Sequence, residues 1–266
     1  MWLPSLLARL VPGYRRTRPA RATHRAARPL KARLAVEALE ARYVPSHLPV
    51  IIENRAYVTS LYNDLLGRAP DQEGLDGFTA QLNAGANRDN VALGIINSLE
   101  FNRAFVGAQY EHFLGRKASS AEIDPWVKFV NAGGNFDQLQ AHILSSEEAF
   151  QKAGGSNSAW LQLAYDKALG RSATAEELRG PLTALNAATV SRFTIALGIM
   201  QSIEADRLTA QGFYHDFLER QSDPGGFPGW WMALNAGVSQ QEVMARFLTT
   251  QEYEFLASHD SAGNPL

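Results

Sequence analysis

The sequence predicts an all-α chain: four repeats of about three short helices each, arranged as two paired units behind a basic leader. Three observations predict it. The first is a set of residues recurring at fixed intervals. With the arginine of a Leu-x-Arg turn as origin, the copies start from Arg68, Arg116, Arg171 and Arg220. Six residues earlier stand Tyr62, Tyr110, Tyr165 and Tyr214; three later stand Asp71, Ser119, Thr174 and Asp223. Fifteen later come Asn83, Asn131, Asn186 and Asn235. A hydroxyl with a glutamate two residues on closes each unit: Ser98 and Glu100, Ser146 and Glu148, Ser202 and Glu204, Thr250 and Glu252. The third copy carries one extra residue before its serine. Periodicity of this kind marks a repeat architecture. The second observation is capping chemistry at the same columns. The third is helical spacing of the apolar residues, with no sustained period-two alternation to suggest strands.

Within the first copy, Val58, Leu61, Tyr62, Leu65 and Leu66 lie at helical spacing and end at Gly67, a C-terminal stop. Three residues after each arginine stands Asp, Ser or Thr, whose side-chain oxygen caps a helix N-terminus. Ser119 with Glu122, and Thr174 with Glu177, form capping boxes. Pro224 after Asp223 suits a first helical turn. The middle helix then runs from about 72 to 83. It ends where Leu82 to Gly85, and likewise Leu234 to Gly237, offer Asn and Gly for the left-handed conformation. Val91, Leu93, Ile95 and Ile96 begin a third short helix before Ser98. Two columns depart from type: Glu219 replaces the turn glycine in copy four, and Ala188 replaces the stop glycine in copy three. Pro181 in the middle-helix aromatic column predicts a kinked or shortened helix in copy three.

The junctions differ. Ser98 caps a helix that continues through Phe101, Phe105 and Tyr110 to Leu114, joining copies one and two directly. Ser202 to Tyr214 joins copies three and four at the same spacing. Between Ser146 and Tyr165 the interval is seven residues longer, and the excess, Gly154 to Ser158, reads as a flexible loop. The predicted units are therefore 50–153 and 158–258, followed by a disordered tail over 259–266.

Residues 1–42 carry ten basic residues against Glu37 and Glu40, which leaves 15 basic and 25 acidic residues for the rest. The leader, 1–46, also holds Pro4, Pro12, Pro19, Pro29 and Pro45, and buries too little to fold alone. It reads as an export leader or disordered tail, or as a segment binding nucleic acid or anionic membrane through residues 1–42. Trp2 to Val11, broken by Pro4 and Arg9, makes a poor secretory core. No stretch of about 18 apolar residues exists. Cysteine is absent, which excludes disulfides and thiolate metal sites.

Two resemblances follow from these residues. Ala35 to Ser46, through Glu37, Leu39, Glu40, Arg42, Val44, Pro45 and Ser46, resembles a Leu-Glu-x-Leu-Glu-x-Arg-x-Val-Pro-Ser motif of certain bacterial surface proteins. It departs where Ala41 replaces an acidic residue; by the plainer reading it is a short helix ending before Pro45. Residues 50–258 resemble the family catalogued as domain of unknown function 4214, through Leu61, Tyr62, Leu65 to Arg68, Pro70, Asp71, Gly74, Phe78, Leu82, Gly85, Ser98, Glu100 and Phe101. That family is similar to the all-helical linker domains of cyanobacterial phycobilisomes, and occurs in bacterial surface and secreted proteins with calcium-binding repeats. The resemblance implies binding of a protein partner, no catalytic residues, and a secreted or cell-surface location; a cytoplasmic scaffold is the alternative.

The recurrent Arg and Glu columns read as structural, each arginine closing its turn on carbonyls or on the glutamate of its own or the next repeat; a partner-binding arginine row is the other reading. The tyrosines read as core with a bonded hydroxyl. Stacking on a tetrapyrrole is the linker analogy. Trp230 and Trp231 cannot both face inward, so one of them is a candidate partner contact. Asp71, Glu73 and Asp76 near Gly74 fail the ligand spacing of a helix-loop-helix calcium site and read as capping. The six histidines form no metal-ligand set. No nucleophile elbow or phosphate loop is present. The expectation is a protein without catalytic, cofactor or metal residues and without a small-molecule substrate.

Overall fold

The computed structural model describes residues 50–259, with side chains from 53 onward. The leader over 1–46, its motif at 35–46 and the tail beyond 259 lie outside the described residues. Copy one contributes α1 (Val50–Leu61), a wider π turn (Tyr62–Leu66), α2 (Gln72–Asn83) and α3 (Arg88–Ile96). Copy two has α4 (Leu99–Leu114), α5 (Ser120–Asn131), α6 (Phe136–Leu144) and α7 (Glu147–Lys152). Copy three has α8 (Asn157–Leu169), α9 (Ala175–Asn186) and α10 (Arg192–Met200). Copy four has α11 (Ile203–Phe217), α12 (Phe227–Asn235), α13 (Gln240–Phe247) and α14 (Gln251–Ser258). The fold is all-α, with no strand among the described residues.

Short polar residues fix where these helices begin. Ser98, Ser146, Ser202 and Thr250 each accept a backbone N–H from three residues on, at Phe101, Ala149, Ala205 and Tyr253. Asn135, Ser191 and Ser239 start the third helix of copies two to four in the same way, and Asn87 starts that of copy one by accepting from Asp89, two residues on. The extra residue of copy three falls in the loop between α9 and Ser191.

The two halves pack together over one apolar core. Two seams join them, and they correspond when the halves are exchanged. At one, α6 packs on α10 and α7 on α8; at the other, α3 packs on α13 and α1 on α14. The first seam is crossed by the chain itself; the second is closed by side chains. There the Tyr253 hydroxyl donates to the Asp64 carboxylate at 2.9 Å, Thr249 donates to Asp89 at 2.6 Å, and Arg88 pairs with Glu254 at 3.0 Å. Tyr57 and Trp160 share a column, eleven residues before their arginines. Tyr57 meets Tyr253 edge-on at 6.1 Å, while the Trp160 indole N–H donates to the Leu144 carbonyl at 2.9 Å.

Several local expectations are corrected. Pro181 does not shorten α9, which runs unbroken over 12 residues as α2 and α5 do. Proline removes one N–H, but Leu185 is still buried, and Leu178 and Leu182 pack half-buried against the core. The shortened middle helix is instead α12, nine residues long. Pro224, Gly225 and Gly226 form a turn rather than a first helical turn, and the Asp223 carboxylate accepts from the N–H groups of both glycines. Two glycines in succession are too poor a helix nucleus to start earlier. The loop between copies two and three is shorter than its composition suggests. Asn157 and Ser158 already belong to α8, which Ser156 caps through Ala159.

Candidate functional site

The recurrent polar columns converge on one arrangement built four times. Each turn arginine reaches the glutamate 32 or 33 residues on through two parallel bonds. The shorter contacts are 2.6 Å for Arg68–Glu100, 2.6 Å for Arg116–Glu148, 2.6 Å for Arg171–Glu204 and 2.5 Å for Arg220–Glu252. Its remaining nitrogen donates to the carbonyl of the very next residue: Ala69, Lys117, Ser172 or Gln221. The guanidinium lies over the ring of Tyr62, Tyr110, Tyr165 or Tyr214, 4.7 to 5.5 Å from the centroid. Cation and ring attract through the quadrupole of the aromatic face. A planar, forked cation is the one side chain that can satisfy all three demands together.

A second carboxylate closes the clamp, and the copies supply it in two ways. In copies one and four it is the cap itself: Asp71 reaches Arg68 at 3.4 Å and Asp223 reaches Arg220 at 3.1 Å. In copies two and three the cap is Ser119 or Thr174, too short to reach. Glu122 and Glu177, three residues on, contact Arg116 at 2.6 Å and Arg171 at 2.7 Å while completing the capping box. The position three after the cap is thus Glu where the cap is neutral and Gly, at Gly74 and Gly226, where the cap is Asp. There the tyrosine hydroxyl fills the space: a Cβ on Gly74 would fall 2.2 Å from the Tyr62 oxygen.

The electrostatics follow. Hydrogen bonds from Arg116 hold the carboxyls of Glu122 and Glu148 down at about 2, and Arg171 does the same to Glu177. Arg68 and Arg171 lower Glu100 and Glu204. Backbone N–H groups of Gly74 and Gly226 are the main cause of the lowered Asp71 and Asp223. Burial raises Tyr62, Tyr165 and Tyr214.

The asparagine column also has a partner, and sequence reasoning missed it. Fourteen residues before each arginine stand Asn54, Asn102, Asn157 and Asp206. They bond Asn83, Asn131, Asn186 and Asn235 at 2.8, 3.1, 2.9 and 3.3 Å. Each pair ties the start of a copy's first helix to the end of its middle helix. The signal was available as a constant 29-residue offset between amides.

A further column, thirteen before the arginine, holds Arg55, Arg103, Ser158 and Arg207. Arg55 pairs with Asp76 at 2.8 Å and Arg103 with Asp124 at 2.6 Å. Asp76 also accepts from Gln72, so Asp71 and Asp76 are engaged separately and Glu73 lies exposed. Among the described residues no group of three His, Asp or Glu side chains could hold a metal ion. Trp230 and Trp231 are both half-buried, and neither is the exposed member expected of the pair. Trp230 packs 5.1 Å from Phe247, whereas Trp231 lies under the Arg207 guanidinium at 4.8 Å.

Fold and site together define a class: a helical repeat frame whose recurring polar residues bind one another. Two segments of the chain, residues 50–105 and 140–209, match the family model described as Domain of unknown function (DUF4214). The match takes in the first copy and all of copy three, and spans a little under half of the chain. No curated protein and no solved structure matches the chain.

Proposed function

We propose that the chain is a non-enzymatic protein-interaction module of an exported or surface-associated bacterial protein. One observation carries the reading: the recurrent charges are consumed inside the frame. Each clamp arginine meets two carboxylates, a carbonyl and a ring of its own chain, which leaves the columns that vary between copies to face outward. Those include exposed apolar side chains at Leu99, Ile203, Met232 and Phe255, a feature of surfaces that meet other proteins. No described helix is long and apolar enough to cross a membrane. The export half rests on the sequence of residues 1–46.

Immobilised full chain is expected to retain a polypeptide from the surface fraction of source cells at near-stoichiometric amount. Retention of none, together with turnover in a broad hydrolase and transferase screen, overturns the module reading. Recovery of the native protein wholly in the cytosol overturns the export half. The charge split between leader and body favours a second reading, an intracellular scaffold anchored by its leader. Salt-sensitive binding to DNA or anionic vesicles, lost on deleting residues 1–42, would select it.

A further inference from the structure

We propose that the groove beside the N-terminal half of α11 receives a segment of another polypeptide that presents one carboxylate next to an apolar side chain, with Arg207 as the carboxylate receptor. The inference deepens the interaction-module reading and rests on it.

The argument comes from comparing equivalent positions in one molecule. In copies one and two, the arginine of this column is matched by an aspartate eight residues after the turn arginine, in Arg55–Asp76 and Arg103–Asp124. In copy four the arginine persists as Arg207, but the matching position is Pro228, which has neither charge nor N–H. Among the described residues no carboxylate lies within ion-pairing distance of Arg207. Glu204, one turn away on the same helix, has both oxygens on Arg171. Copy four also places Trp231 where copies one and two have the smaller Thr79 and Val127. The indole supports the Arg207 guanidinium from below at 4.8 Å. The ring holds the guanidinium beside an apolar surface, and the planar fork of donors suits a carboxylate.

Around this cation lies an open groove of about 610 Å³, walled by Ile203, Leu208, Gln211 and Phe227. Ile203 is 51% exposed there. The lining sets the chemistry of the occupant. Ile203, Leu208 and Phe227 call for an apolar side chain. Arg207 calls for a carboxylate, and for only one, because it is the one cation among the residues lining the groove. An exposed ion pair changes affinity by about fivefold at most. A small carboxylate alone therefore binds too weakly, and apolar contact along the groove must supply the rest. A peptide segment offers both, as α2 and α5 do when they present Asp76 and Asp124 to Arg55 and Arg103.

The test uses the full chain and two capped peptides, Gly-Asp-Leu-Phe-Gly and Gly-Asn-Leu-Phe-Gly, followed through the Trp231 indole N–H resonance. The Asp peptide is expected to shift that resonance and to bind up to about fivefold more tightly than the Asn peptide. Arg207→Gln is expected to abolish the difference. Pro228→Asp rebuilds from within the pair seen in copies one and two, and is expected to weaken the Asp peptide by up to about fivefold while the fold persists. Equal binding of the two peptides, no binding at ~1 mM, or an Asp-peptide affinity unchanged by Pro228→Asp overturns the proposal. Acetate binding as tightly as the peptide overturns the polypeptide assignment. If the groove fails while the full chain still retains a surface polypeptide, this inference falls and the module reading stands.

Discussion

Exchanging Ala188 for Gly should stabilise the protein, and exchanging Gly133 for Ala should destabilise it. Both residues occupy the helix-stop column. Gly85, Gly133 and Gly237 hold φ of 88°, 94° and 88°, and Ala188 is forced to 53°. The backbone bonds are alike: Gly133 and Gly134 donate to Val130 and Phe129, as Ala188 and Thr189 donate to Leu185 and Ala184. Side-chain packing does not enter, because Ala188 is exposed and a Cβ on Gly133 would meet nothing within 4 Å. The left-handed conformation costs a non-glycine residue about 1–2 kcal/mol. Glycine's larger freedom in the unfolded chain returns about 0.5–1 kcal/mol of that. The net gain for Ala188→Gly is about 0.5–1 kcal/mol, or about 1–4 °C in Tm for a domain of this size. Gly133→Ala should cost at least as much, since its φ must also move. Urea unfolding at constant m-value is the assay. A lower midpoint for Ala188→Gly, or an unmoved one for Gly133→Ala, refutes the backbone argument.

Three further outcomes can be checked. Arg116→Lys should lower the unfolding free energy by about 1 kcal/mol, since lysine cannot bridge Glu122 and Glu148 with parallel bonds; Arg179→Lys, at an exposed pair with Glu176, should leave it unchanged. Gly74→Ala should cost about 1–3 kcal/mol by driving a Cβ into the Tyr62 hydroxyl, and Tyr62→Phe in that background should recover part of the loss, measured as a double-mutant cycle. Burial pushes the Asp137 carboxyl up to about 6, opposed by the bond from the Gln240 amide and assisted by the charge of Asp206. Its folded value lies above its unfolded one, so stability falls as pH rises from about 4 to about 6. Asp137→Asn should remove that slope and stabilise at neutral pH by about 1–3 kcal/mol. The clamp glutamates act oppositely: held at about 2, Glu122, Glu148 and Glu177 contribute stability that is lost as pH falls below their unfolded range. A stability profile flat from pH 4 to 6 in the parent protein would contradict the Asp137 assignment.

Caps and stops were legible because their causes are local. Asp71 and Gly85 bracket α2, and Ser98 opens α4, through bonds spanning three to five residues. Pro181 misled because the local cost of a proline is outweighed by the packing of the helix it interrupts. Pro224 misled because Gly225 and Gly226 delay nucleation until Phe227. The clamp was half legible. Its arginine and glutamate columns recur, but that they meet bidentately, over a tyrosine ring, depends on how α1 and α4 cross. The asparagine pairs and the unmatched Arg207 were invisible to a reading of single columns, since each needs two columns compared.

The sequence by itself determined the number of repeats, the all-helical class and most of the helix ends, since these depend on nearest-neighbour chemistry repeated four times. Only the tertiary structure decided that the halves close on each other through α3 and α13 as well as α6 and α10. The contacts at the α3–α13 seam join residues more than a hundred positions apart, as Thr249 does with Asp89 and Tyr253 with Asp64. Their partners are selected by shape and burial across the assembled core, which no interval along the chain records.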